Sequence, residues 1–296
     1  MTVVVRPFSS LTATMAELEA LALSNQQIVF RGHQSASWNI ESTYARYTTV
    51  PHRSWDTNID EMLSRFLNNA LMIGNIPFEV KDRRSRLEYG RHHGVPTPVV
   101  DFTHSPYVAL YFAFNGVQYK PGGLTTDAAV YALDLGALAT GWAKLTSPSD
   151  FYAGYNDFLY ERPLYFQHGY RESRLKLIPL CASWNRRMRN QLGCFLYDTL
   201  DYSMPGMGSN FEGFVQAIKE PTPADHAISA VTMTKYVIPH SQAPEVFSRL
   251  ELMNITGTKL LDHEGLASDV RNTYNYGPKS GDAWDLAVPL PDDKKM

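Results

Sequence analysis

Cysteine is nearly absent from this chain: Cys181 and Cys194 are its 2 cysteines in 296 residues, and they form no CxxC spacing. That excludes a disulfide framework and a thiolate zinc site, and leaves both as expected packing residues. An excess of one charge is also missing, since 27 Lys and Arg stand against 30 Asp and Glu for a net charge of −3. The whole-chain basic field of many proteins that coat nucleic acid is thereby removed, although a local basic cleft is not. No apolar run approaches the roughly 20 residues that cross a bilayer. Met1 to Arg6 lack the basic stretch and apolar block of a secretory signal. The expectation is a soluble, cytoplasmic chain without a membrane partner, and there are no internal repeats or low-complexity tracts.

Hydrophobic residues make up 44% of the chain and aromatics 12%, enough for a sizeable core. A Thr14/Glu17 capping box ahead of Leu18, Leu21 and Leu23 predicts a first helix, leading into a strand from Gln27 to Arg31. Met62, Phe66 and Ala70 recur at helical spacing over Asn58 to Ile73, with Glu61 and Arg65 as an i,i+4 pair. Pro98 to Phe102 reads as a strand, and Ser105-Pro106 as the cap and first residue of a helix through Phe114. Ala128 to Leu133 and Tyr236 to Ile238 read as further strands, with Pro121-Gly122-Gly123 as a turn. The expected fold is α+β: one domain over residues 1–275 with a mixed, split β-sheet flanked by helices. Residues 276–296 form a tail and Met204 to Gly213 a loop. Residues 146–179, where Phe151, Tyr152, Tyr155, Phe158, Tyr160, Tyr165 and Phe166 crowd without periodicity, read as an aromatic-rich insertion.

Separated segments carry chemistry-bearing residues. Phe30-Arg31-Gly32 closes the early strand, with Trp38 and Arg46 after it. His92-His93-Gly94-Val95-Pro96-Thr97 runs into Asp101-Phe102-Thr103-His104-Ser105-Pro106 and Ala109-Leu110-Tyr111-Phe112-Ala113. Arg187-Met188-Arg189-Asn190-Gln191-Leu192-Gly193-Cys194-Phe195 and Leu260-Leu261-Asp262-His263-Glu264-Gly265-Leu266-Ala267 follow. Together these resemble the FRG-domain family, named for the aromatic-Arg-Gly signature, from about residue 27 to 270. Arg91 stands where that family commonly has Gln, and Glu264 where Asp is usual.

The order of these motifs is in turn similar to the ADP-ribosyltransferase-like superfamily: Arg at a strand end, Thr/Ser before an aromatic helix, then a late acid. That resemblance implies NAD as substrate, with Arg31, Gly32, His92, Thr103, Ser105, Tyr111 and Gln191 holding it. Glu264 and Arg31 would be catalytic, and no metal would be needed. Breaking the nicotinamide–ribose bond builds an oxocarbenium-like ribose that a carboxylate such as Glu264 can stabilise. Arg31 offers a planar fork of donors to the pyrophosphate. Aromatic faces of Tyr107, Tyr111 or the insertion would stack on nicotinamide or an acceptor base. Gln191 and Arg187 are expected to line the cleft opposite Arg31, and Phe195 to be core.

The implied activity is ADP-ribosyl transfer to a macromolecular acceptor, nucleic acid (RNA or DNA) or protein, as in a toxin or phage-defence effector with an antitoxin partner. Ordinary structural roles compete: Ser105 as a helix cap, Asp101 as an organiser of its turn, Glu264 as a helix-dipole carboxylate. Two other functions stay open. One is a metal-dependent hydrolase or nuclease built on His92, Asp101, His104 and Glu264, and the other is a nucleotide-binding module without turnover.

Overall fold

The cap of the first helix lies at Ser10, whose Oγ accepts from the Ala13 amide at 3.2 Å, rather than at Thr14. Thr14 instead donates its hydroxyl back to the Ser10 carbonyl at 3.0 Å. The buried Leu11 belongs to the same apolar face as Met15 and Leu18, and this draws the helix start forward by one turn. The structure is a computed structural model. It describes residues 3–49, 55–74, 76, 80, 82–117, 127–146, 149, 151–159, 175–178, 186–202, 209–218 and 233–276.

The elements in chain order are β1 (Val3–Arg6), α1 (Leu11–Ser24), β2 (Ile28–His33), α2 (Thr43–Tyr47), α3 (Trp55–Ile73) and α4 (Arg83–His92). Next come β3 (Val99–Thr103), α5 (Pro106–Phe114), β4 (Ala128–Asp134), α6 (Leu135–Thr146), α7 (Phe151–Leu159) and β5 (Leu175–Ile178). The last are α8 (Arg186–Asn190), β6 (Gly193–Asp198), α9 (Phe211–Ala217), β7 (Met233–Ile238), α10 (Ala243–Leu252), α11 (Gly257–Leu261) and α12 (His263–Tyr276). None of these helices is long and apolar enough to cross a membrane among the described residues.

The strands form one mixed sheet in the order β1-β7-β4-β2-β3-β6-β5, parallel between β1 and β7 and antiparallel elsewhere. Helices cover both faces. Residues of α1, α5, α10 and α11 pack with Phe30, Val130 and Tyr236 on one side. Residues of α6, α7 and α9 pack with Val29, Tyr131 and Leu196 on the other. Val29 and Phe30 part to opposite layers because successive strand side chains alternate faces.

The α+β expectation holds, and so do its main elements. Ser105 caps α5 by accepting from the Val108 amide at 3.3 Å, and Pro106 sits in the first turn, where its missing N–H costs nothing. Two expectations change. The aromatic stretch supplies the regular elements α7 and β5, and Phe158 is fully buried against the sheet. Part of the expected loop ending at Gly213 is α9, whose cap Asn210 accepts from the Gly213 amide at 2.8 Å. Pro121 to Gly123, Met204 to Gly208, Cys181 and the tail from residue 277 lie outside the described residues.

One joint in the sheet differs from the rest. Strand β2 pairs with β4 along its whole length, from Ile28↔Asp134 to His33↔Ala129, and β3 pairs with β6 from Val99↔Tyr197 to Thr103↔Gly193. Between β2 and β3 the register contains the single pair Phe30↔Thr103. No further pair joins the two strands.

Candidate functional site

A cleft of about 1280 Å³ opens at this joint, floored by residues of β2, β3 and α5. It exceeds the 300–1,000 Å³ of most small-molecule sites. Across the gap Arg31 replaces the missing ladder: its Nη1 donates to the Asp101 main-chain carbonyl at 2.6 Å. Its Nε donates to His33 Nε2 at 2.8 Å, which the strand places two residues on and on the same face. That bond requires an unprotonated Nε2, so the ring is neutral with its proton on Nδ1. Burial, followed by the Arg31 charge, pushes His33 down to about 3.

The Asp101 carboxylate is shared. Arg91 grips it from α4, with Nε donating to Oδ1 at 3.3 Å and Nη2 to Oδ2, while Arg31 Nη1 stands 4.0 Å from Oδ2. Burial pushes this carboxyl up, but Arg91 and Arg31 outweigh it and hold the group below its ordinary value. For Arg31 burial dominates and lowers it to about 10, with Arg91 and Arg46 adding and Asp101 opposing. The cleft lining thus sets Arg31, Arg46, Arg91 and Arg187 against Glu41, Glu88, Asp101 and Glu264, with Asp101 shared by Arg91 and Arg31. Arg31 Nη2 has no hydrogen-bond partner among the described residues. A buried cation with an open donor attracts an anion.

The rim is more exposed. Arg187 Nη1 donates to Glu264 Oε2 at 2.8 Å, with side chains 25% and 75% exposed. His92, at the end of α4, is lowered by burial and then by His93 and Arg187, while Glu264 and Asp262 oppose. The segment after β2 adds Gln34, Ser37, Trp38, Asn39, Glu41 and Arg46.

Of the residues proposed from sequence, Arg31, Gly32, His92, Thr103, Gln191 and Glu264 line this cleft. Several already have structural duties. Thr103 Oγ1 donates to the Gln191 carbonyl at 2.6 Å and accepts from the Ser105 amide at 3.0 Å, tying β3 to α8. Gln191 Nε2 donates to the Leu260 carbonyl at 2.9 Å, tying α8 to α11. A Cβ on Gly32 would stand 2.0 Å from the Ala109 carbonyl oxygen, so this glycine admits helix α5. A Cβ on Gly265 would stand 1.8 Å from the Gly257 carbonyl oxygen, so that glycine seats α12 on α11.

Ser105 and Tyr111 do not line the cleft. Ser105 is the α5 cap, and Tyr111 is 1% exposed within the core, its hydroxyl raised well above its ordinary value by burial and then by Asp269. Tyr107 turns away as well, donating its hydroxyl to Glu19. For the metal alternative, Asp101 is claimed by Arg91 and Arg31, and His104 is not among the lining residues. Among the described residues no three His, Cys, Asp or Glu side chains group as metal ligands.

The His33–Arg31 bond and the Arg91–Asp101 pair in this cleft were not read from sequence. The strand period would have found His33, since it shares a face with Arg31. Residues 26–120 match the family model for the FRG domain, while no curated protein and no solved structure matches the chain. The match takes in β2, α4, β3 and α5, and with them Arg31, Arg91 and Asp101 of the floor. Residues 26–120 are therefore similar to the FRG domain.

Proposed function

We propose that the cleft binds NAD and transfers its ADP-ribose to a macromolecular acceptor. The observation that carries this reading is a largely desolvated Arg31 with an unused Nη2 on the floor of a cleft roomy enough for a dinucleotide, with the Glu264 carboxylate on its rim. A diphosphate suits the floor, where Arg31 and Arg91 share the Asp101 carboxylate and Arg31 keeps an open Nη2. In the reaction the ribose–nicotinamide C–N bond breaks, nicotinamide leaves with the bonding pair, and positive charge builds on the ribose. Glu264 opposes that charge, and the acceptor's nucleophile bonds to the ribose and gives up its proton.

The 75% exposure of Glu264 supports an acceptor as large as RNA, DNA or a protein side chain. Such an activity fits a toxin or phage-defence effector controlled by an antitoxin partner. The Arg187–Glu264 ion pair favours one other reading, nucleotide binding without turnover, because it occupies the carboxylate.

Purified protein incubated with NAD labelled in its adenylate half and with cell lysate decides between them. Label is expected in one of the RNA, DNA or protein fractions, with Glu264→Gln reducing transfer by about 100-fold or more. No incorporation and no nicotinamide release would overturn the transferase.

A further inference from the structure

Trp38 is 54% exposed, a large apolar surface left in water. Other large hydrophobic side chains are also exposed among the described residues, Tyr47, Tyr152 and Leu252 among them, but Trp38 alone of that set lines the cleft. Its backbone is fixed. The Trp38 amide donates to the Ser35 carbonyl at 3.2 Å, and the Trp38 carbonyl accepts from the Tyr131 hydroxyl at 3.2 Å. Two residues earlier, the Ala36 amide donates to the Asp127 carbonyl at 2.6 Å.

Beside the indole stands His33, whose ring centroid lies 6.4 Å away at 59°. Behind His33 is Arg31, hydrogen-bonded to it at 2.8 Å. Arg46 completes the group: its guanidinium is exposed, steadied by donation to the Glu41 carbonyl at 3.3 Å, and close enough to lower both Arg31 and His33. An indole held at the mouth of a cleft, one ring away from a cation with an open donor, matches the base-to-phosphate layout of a nucleotide. Aromatic stacking takes the base and guanidinium groups take the phosphate.

We infer that Trp38 is a stacking surface for a nucleobase, with the adjoining phosphate held between Arg31 and Arg46. The inference rests on the reading of the cleft as a nucleotide site but not on the transfer step. The base has two possible sources, the adenine of the dinucleotide or a base of a nucleic-acid acceptor. The indole N–H, unpartnered among the described residues, is available to water or to a ligand acceptor.

The test is titration calorimetry on the full chain with ADP-ribose, a short single-stranded RNA and ribose 5-phosphate, which has the sugar and phosphate but no base. Trp38→Ala is expected to weaken a base-bearing ligand by about tenfold, the scale of one stacked base. It should leave ribose 5-phosphate unchanged, and Trp38→Phe should keep most of the affinity. A selective loss with ADP-ribose assigns the surface to adenine, and a selective loss with RNA assigns it to an acceptor base. Equal losses for ligands with and without a base, no loss at all, or no binding of any base-bearing ligand would each overturn the proposal. The unfolding midpoint of Trp38→Ala should match that of the parent, which separates lost stacking from lost fold. Nicotinamide release from NAD reports on the transferase separately, so base-selective binding without turnover would sink that reading and leave this one standing.

Discussion

The floor and the rim of the cleft use the same residue types, arginine against carboxylate, for different ends. On the floor Arg31 is 16% exposed, and its bond to the Asp101 carbonyl joins two strands that scarcely pair. On the rim Arg187 meets a Glu264 that is 75% exposed, joining α8 to α12, which are already tied through α11 by the Gln191–Leu260 hydrogen bond and the Gly257–Gly265 contact. Ion pairs near water contribute little, whereas removing one partner from a desolvated pair leaves an uncompensated charge. The floor should therefore answer to stability measurements and the rim to activity measurements.

The sharpest way to break that contrast is Gly32→Ala, since the added methyl has backbone of α5 in its way rather than a flexible side chain. A loss of about 3 kcal/mol or more in urea unfolding is expected, the upper range for overpacking. Parent-like stability would show that the floor is loosely built.

A smaller effect should appear with acid. His33 is neutral in the fold with its pKa lowered to about 3, whereas the unfolded chain protonates it near 6.5. Between these values the unfolded state binds the extra proton, so stability falls as pH falls, by up to about 1.4 kcal/mol per pH unit. His92 and His104 are lowered too and act with the same sign. The measure is therefore the difference between the parent and His33→Gln, which should have the shallower slope from pH 6 to 4. Parallel slopes would remove His33 from the floor.

Smallest of all, Arg187→Gln should change unfolding free energy by no more than about 0.5 kcal/mol, as for other exposed pairs. A larger loss would make the rim part of the framework.

Much of the α+β architecture could be read from sequence wherever a local signal agreed with the packing. The Ser105-Pro106 pair marked the start of α5, and strand composition marked β2, β3, β4 and β7. Strand β6 escaped because all of Gly193–Asp198 is buried, which removes the alternation that betrays a half-exposed strand. Helix α5 concealed the fate of Tyr111 in the same way: it is apolar nearly all round, so its sequence cannot say which side chains face the cleft. The signature at Phe30-Arg31-Gly32 pointed to the cleft for a mixed reason. Arg31 does face the cleft, but Gly32 answers to the helix above it.

The single-pair joint between β2 and β3 makes Arg31 both a fastener and a cleft-facing cation. Genetics at this position is consequently ambiguous by construction. An alanine allele that abolishes a phenotype would look like a dead enzyme even if the lesion were in assembly. Only alleles that keep the guanidinium and change what surrounds it, or that report from the rim, can assign the phenotype to chemistry.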